Sequence, residues 1–138
     1  MRLDECLAKG LIRKDDSAKG RVFTSIESSK RFLNAAKKNL EIDELEMTMI
    51  AAYNSAFHSA RSILFSKGYI ERSHGCLISA LKELSSDQQL SSYLRTLDKL
   101  RLSRHNIQYG GSLTTKDEAS FSLEFAEDFL GIVEKKLS

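Results

Sequence analysis

Arg101-Leu102-Ser103-Arg104-His105-Asn106-Ile107-Gln108-Tyr109-Gly110-Gly111 closes a helical run that begins near Ser86, and the two glycines stop it. Counting back, Leu90, Leu97, Leu100 and Ile107 recur at spacings of seven, three and seven. That is the three-and-four rhythm of a buried helical seam. Arg104 takes the seam position between Leu100 and Ile107. A guanidinium cannot shed its proton and is costly to bury without a partner. An acidic side chain, a second subunit or a bound anion must therefore meet it.

The other segments repeat the helical pattern. Residues 2–10 form a short helix ended by Gly10, and Leu11-Ile12 follow as an apolar latch. Asp15 or Asp16 caps a helix running to about Asn39, whose inward stripe is Val22/Phe23, Ile26, Ser29, Leu33, Ala36 and Leu40. Lys30, Arg31, Lys37 and Lys38 flank that stripe as a solvated face. Asp43, with Glu46 completing a capping box, opens a long helix that reaches Lys67 and ends at Gly68. Ala52, Ala56 and Ala60 make a flat strip on it for close helix approach, whereas Asn54, His58, Arg61 and Phe65 share another face. That second strip faces either water or a site.

Tyr69-Ile70 cross a short turn, and Ser73 caps a brief helix from His74 to Leu84. His74 then sits in a first turn with free amides, as a local hydrogen-bonding residue or as an anion ligand. Ser86 with Gln89, and Thr115 with Glu118, form two further capping boxes. The last helix, to about Leu137, points Phe121, Phe125, Phe129, Ile132/Val133 and Leu137 inward. The short link at 110–114 makes the last two helices antiparallel neighbours. The expected fold is all-α: an up-and-down bundle of four main helices with short additional helices, one domain over 1–138.

Composition narrows the function classes. The chain carries 21 Lys and Arg against 19 Asp and Glu, interspersed, for a net charge of +2. That is not the strong basic footprint of a dedicated duplex-DNA binder. No apolar run approaches the roughly 20 residues of a membrane span, and the opening residues lack a signal-peptide pattern. Cys6 and Cys76 fit no metal-ligand spacing and read as two free structural thiols in a reducing cytoplasm. Phosphate loops, dinucleotide fingerprints, HExxH, CxxC and nucleophile elbows are all missing. The acidic pairs Glu41/Glu44 and Glu124/Asp128 belong to solvated faces, and no metal or cofactor is expected.

What remains is Arg101, Arg104, His105 and Gln108 on one helix, with Asn106 and Tyr109 beside them. Guanidiniums hold phosphate oxygens and stabilise developing charge, and an imidazole moves a proton near neutral pH. The set suits a phosphodiester, whether bound or cleaved without a metal. The alternative is structural: Arg104 pairs with an acid of the last helix such as Glu118, and Tyr109 plugs the bundle end.

Two segments together resemble a known family. Ala52-Tyr53-Asn54-Ser55-Ala56-Phe57-His58-Ser59-Ala60-Arg61 through Lys67-Gly68, followed by Ser73-His74-Gly75, is similar to the central helix and turn of small prokaryotic HEPN-domain proteins. Lys9–Arg13, Ser28–Asn39 and the ending Arg104-x-x-x-Gln108-Tyr109 resemble the same subfamily, whose usual ending is R-x-x-x-D-Y. The resemblance implies a helical bundle that forms a homodimer, with the arginine motifs near a shared cleft. It also implies a minimal nucleotidyltransferase partner in a toxin–antitoxin-like system. Many HEPN proteins are metal-independent endoribonucleases with an Arg, four to six residues and a His. Here Tyr109 stands where that histidine is expected, no histidine follows, and Gln108 replaces the acid.

The expected role is therefore nucleotide or RNA binding through Arg104, Asn106 and Tyr109. His58 and Arg61 join them if their strip faces the same cleft. An endoribonuclease would use Arg104 with His105 or His58 standing in for the missing base. A non-catalytic adaptor for a partner protein is the third reading.

Overall fold

The computed structural model describes residues 1–138. Helix α1 (Leu3–Ala8) leads to strand β1 (Ile12–Lys14) and a 3-10 turn (Asp16–Arg21). Then come α2 (Val22–Glu41), α3 (Leu45–Ser66), strand β2 (Tyr69–Glu71), α4 (His74–Leu84), α5 (Gln88–Gly110) and α6 (Lys116–Leu137). This is the expected all-helical bundle: α2, α3, α5 and α6 are its long members, and α1 and α4 are the short additions.

The helix at its centre is α3, not α5. Fourteen α3 residues are buried, and α2, α4, α5 and α6 all pack on it. Its seam with α2 is polar, and the serines in it are paired. Ser29 Oγ donates to the Ser55 carbonyl at 2.8 Å, Ser55 Oγ donates to the Ser29 carbonyl at 2.9 Å, and the Ser29 and Ser59 hydroxyls meet at 2.7 Å. Small side chains let the two backbones come close, and each buried hydroxyl has a partner, so its desolvation is offset. The Ala52, Ala56 and Ala60 strip is also fully buried.

Helices α5 and α6 are antiparallel, joined end to end by the contact of Lys136 with the α5 cap Asp87. Their backbones stay apart, and Tyr93 bridges the gap by stacking on Phe129 at 5.3 Å and tilting against Phe125 at 5.7 Å.

Several local expectations are corrected. Leu11 and Ile12 pack on the core as the expected latch, but Ile12 also opens a strand, and Tyr69-Ile70 belong to its partner strand rather than to a turn. Ile12, Arg13 and Lys14 pair antiparallel with Glu71, Ile70 and Tyr69, a small ribbon tying the N-terminal segment to the α3–α4 connection. Asp15 caps the 3-10 turn rather than α2 itself, accepting from the Ser17 amide. Asp43 does not open α3; it takes a positive φ of 59° in the turn, and the Glu46 carboxylate accepts from the Thr114 amide instead. Asp87, not Ser86, caps α5. Phe23 and Phe121 point outward, at 74% and 54% exposure. On α6 the buried arc runs through Ala119, Ser122 and Ala126, because close approach to α3 selects small side chains and turns Phe121 away. Gly111 ends α5 as expected, with a φ of 72°.

The cysteines are not free. Helix α1 lies against the start of α4, the Cα atoms of Cys6 and Cys76 are 5.9 Å apart, and the two form a disulfide. A separation of 70 residues hides that meeting from any reading of local spacing. No helix is long and apolar enough to cross a membrane.

Candidate functional site

Tyr53 and Phe57, one turn apart on α3, are buried beneath the junction of α4 and α5. Ser73 caps α4 by accepting from the Cys76 amide, which sets His74 at the first position of that helix. The His74 ring stacks on Phe57 at 3.8 Å and 12°, and its Nδ1 meets the Tyr53 hydroxyl at 2.7 Å. From the other side α5 brings Arg104, whose guanidinium lies over the Tyr53 ring at 4.9 Å, a cation–π contact. Arg101, one turn earlier, covers the first turn of α4: a Cβ on Gly75 would sit 3.9 Å from its guanidinium carbon.

This packing sets the protonation states. Burial lowers the His74 imidazole to about 4, and the Arg104, Arg101 and Arg61 guanidiniums and His58 push the same way. Burial raises the Tyr53 phenol to about 12, although Arg104 pulls it back. At neutral pH the phenol is protonated and the imidazole is neutral. The phenol has no other acceptor in reach, so it donates to Nδ1 and the ring proton sits on Nε2. His74 thus presents a neutral N–H donor among cations.

The charges around it are unequal in their partners. Arg101 Nε donates to Asp98 at 3.0 Å, and Arg61 Nε donates to Glu71 at 2.6 Å. Arg104 has no carboxylate within 4 Å; its Nη1 donates to the Gln108 side-chain oxygen at 3.2 Å, the Tyr53 phenol is its other polar neighbour, and its buried Nε has no partner. The two structural explanations for Arg104 and Tyr109 therefore fail. The Glu118 carboxylate accepts from Thr114 Oγ1, and Tyr109 is 67% exposed and plugs nothing.

Of the residues singled out in the sequence, Arg104, Arg101 and Gln108 share one face of α5. His105 and Tyr109 form a separate exposed pair, ring centroids 5.0 Å apart, about a quarter turn farther round. Asn106 projects to the opposite side of the helix and is exposed. His58 and Arg61 lie on the far side of Phe57, where His58 stacks on Phe32 at 5.4 Å and Arg61 lies over Phe65 at 4.9 Å. Burial, with Arg61 and Arg31, holds His58 down to about 4. Tyr53 falls on the apolar arc of α3 and carries no sequence signal that separates it from core. His74 carried a signal, its place just after the Ser73 cap, but sequence alone did not bring it to Arg104. No group of His, Cys, Asp and Glu is arranged to hold a metal ion.

Comparison with known proteins adds one finding. No curated protein matches the chain. A family model described as HEPN domain matches residues 24–136, a span that takes in nearly all of the four long helices. The chain belongs to the HEPN-domain family.

Proposed function

We propose that the protein is a HEPN-type nucleotide- or RNA-binding homodimer in which Arg104 holds a phosphate. Family membership is consistent with nucleotide- or RNA-directed function. The carrying observation is Arg104: half-buried, seated on Tyr53, with an unpartnered Nε and no acid to neutralise it. A guanidinium left in this state at the edge of a core is an anion site waiting for charge, and phosphate fits its planar donors. Arg101 adds positive charge, and the His74 Nε2–H and the uncapped amides of His74 and Gly75 add neutral donors at a helix N-terminus. Tyr109 and His105 offer rings on which a base can stack.

The same reading makes a second subunit complete the cleft and a minimal nucleotidyltransferase the partner, in a toxin–antitoxin-like pair acting in the cytoplasm. There the Cys6–Cys76 bond would persist because both sulfurs are sealed from attacking thiols, the residues being 0% and 2% exposed.

The test is fluorescence anisotropy with labelled single-stranded RNA, for wild type and Arg104→Ala, beside a cleavage assay in EDTA. Salt-dependent binding by the wild type that the variant loses, with melting temperature and oligomer size unchanged, supports the reading. Equal binding by both proteins sinks it. Cleavage in EDTA that requires Arg104 would replace it with the endoribonuclease reading.

A further inference from the structure

A second polar cavity, of about 180 Å³, opens between the start of α2 and the outer face of α3. Arg21, Thr24, Ser25, Ser28, His58 and Arg61 frame it, Phe65 forms an apolar wall, and no carboxylate lines it. The two guanidiniums have donors to spare. Arg61 spends its Nε on Glu71, leaving both terminal nitrogens. Arg21 makes only a long 3.4 Å contact with Ser17 Oγ. Asp15, whose carboxylate Arg21 also stabilises, is already held by Ser17 and by Arg13 at 3.6 Å.

The hydroxyls are oriented by use. Ser25 Oγ donates to the His58 carbonyl at 2.7 Å. Ser28 Oγ accepts from Arg31 at 3.2 Å, so its own proton is unspent, and Thr24 makes no side-chain bond. His58 is neutral at pH 7 and its buried Nδ1 has no protein partner. Two guanidiniums, two free hydroxyl donors and a neutral imidazole, with no acid lining the cavity, are the donor set of a phosphate site. The volume sets the size of the guest. Cavities that enclose whole ligands run to roughly 300–1,000 Å³. This one admits a phosphate group with its nucleoside left outside.

Phe57 stands between this cavity and the Arg104 site: His58 of the cavity meets its ring edge-on at 5.5 Å, and His74 stacks on it at 3.8 Å. We propose that the Arg21–Arg61 cavity binds one phosphate of a nucleic-acid strand that places another phosphate at Arg104. The preferred ligand is then a single-stranded oligonucleotide rather than a mononucleotide. The proposal rests on the assignment of Arg104 to phosphate.

Arg21 is exposed, so Arg21→Ala leaves the fold intact. The experiment measures affinity for a short labelled oligouridine at several salt concentrations, with uridine monophosphate and inorganic phosphate as competitors, for wild type, Arg21→Ala and Arg104→Ala. The expected result is that Arg21→Ala flattens the log–log salt slope of the oligouridine by about 0.7 and weakens the oligouridine several-fold more than it weakens uridine monophosphate. Arg104→Ala should weaken both ligands. An Arg21→Ala protein with wild-type affinity and slope overturns the second site and leaves the Arg104 assignment standing. Loss in Arg21→Ala with none in Arg104→Ala overturns the two-phosphate strand and removes Arg104 instead. Displacement of oligouridine by equal concentrations of inorganic phosphate would also overturn it, since a free phosphate would then be the guest.

Discussion

The Tyr53 hydroxyl and His74 Nδ1 meet at 2.7 Å across the α3–α4 junction, with Phe57 stacked on the same imidazole at 3.8 Å. A buried phenol and a half-buried imidazole satisfy each other there, and the bond fixes which nitrogen of His74 faces outward as a donor. Tyr53→Phe should keep the packing and strand Nδ1. The expected cost is about 1–3 kcal/mol in urea denaturation, because a half-buried acceptor loses its partner. Imidazole 15N shifts should then show His74 as a mixture of tautomers. A single Nε2–H tautomer in both proteins would show that Tyr53 does not set it.

His58 and His74 both fall from 6.5 to about 4 on folding, chiefly through burial. Between those values the unfolded chain binds protons at two imidazoles that the folded chain leaves neutral. Stability is therefore fully present above about pH 6.5 and drains as pH falls toward about 4. Asp15 and Asp87 are also lowered, by their hydrogen bonds with Ser17 and Lys136 first, and their contribution is lost only below about pH 4. Urea midpoints at about pH 7 and about pH 5 isolate the histidines. The midpoint should drop at the lower pH, and by less in His74→Gln. A flat profile contradicts the burial of both rings.

Arg104→Ala separates binding from scaffold. Had Arg104 paired with a buried acid, its removal would cost about 3–5 kcal/mol. It strands no carboxylate here and relieves an unpartnered Nε, losing a cation–π contact of about 1 kcal/mol. The expected change in unfolding free energy is within about 1 kcal/mol of zero. A collapse in stability would mean that this guanidinium belongs to the core.

How far these features were legible in the sequence follows from the range over which they act. Helix ends set by neighbours were readable: the Ser73, Thr115 and Gly111 caps form from residues within one turn. The periodic seam also placed Leu90, Leu97 and Leu100 in the core. What failed depended on meetings across the chain. The β1–β2 ribbon and the Cys6–Cys76 bond join segments far apart in sequence, and each strand is only three residues long, too short for a period to show. The site divided along the same line. Arg104 was conspicuous as a charge in an apolar seam, while Tyr53 and Arg21 gain meaning only from what α5 and α3 bring to them.

The Cys6–Cys76 bond closes a loop of 70 residues that includes α2 and α3. In the chain-entropy account such a crosslink stabilises by restricting the unfolded ensemble, typically by about 2–4 kcal/mol. Reduction with a strong thiol reductant under denaturing and then native conditions should lower the unfolding free energy by that amount. The Cys6→Ser/Cys76→Ser protein should match the reduced form. Because α1 is otherwise held mainly by Leu3 and Arg2 contacts to Glu83, its amides should exchange faster once the bond is open. Unchanged stability on reduction would show that the thiols are not joined in solution.

Arg61 serves two structures at once, and the two can be pulled apart. Its Nε holds Glu71, whose side chain is only 8% exposed, while its terminal nitrogens face the Arg21 cavity. Arg61→Met leaves that carboxylate buried and unpaired, at a cost of about 3–5 kcal/mol, nearer the lower end because Arg61 itself is partly exposed. Arg61→Met/Glu71→Gln removes the stranded charge and should recover most of the loss, since a buried pair is often no more stabilising than a neutral replacement. Oligouridine affinity should not recover with it. Stability restored while binding stays weak would show that Arg61 contributes charge to a ligand as well as closing a pair; affinity restored together with stability would confine Arg61 to the fold.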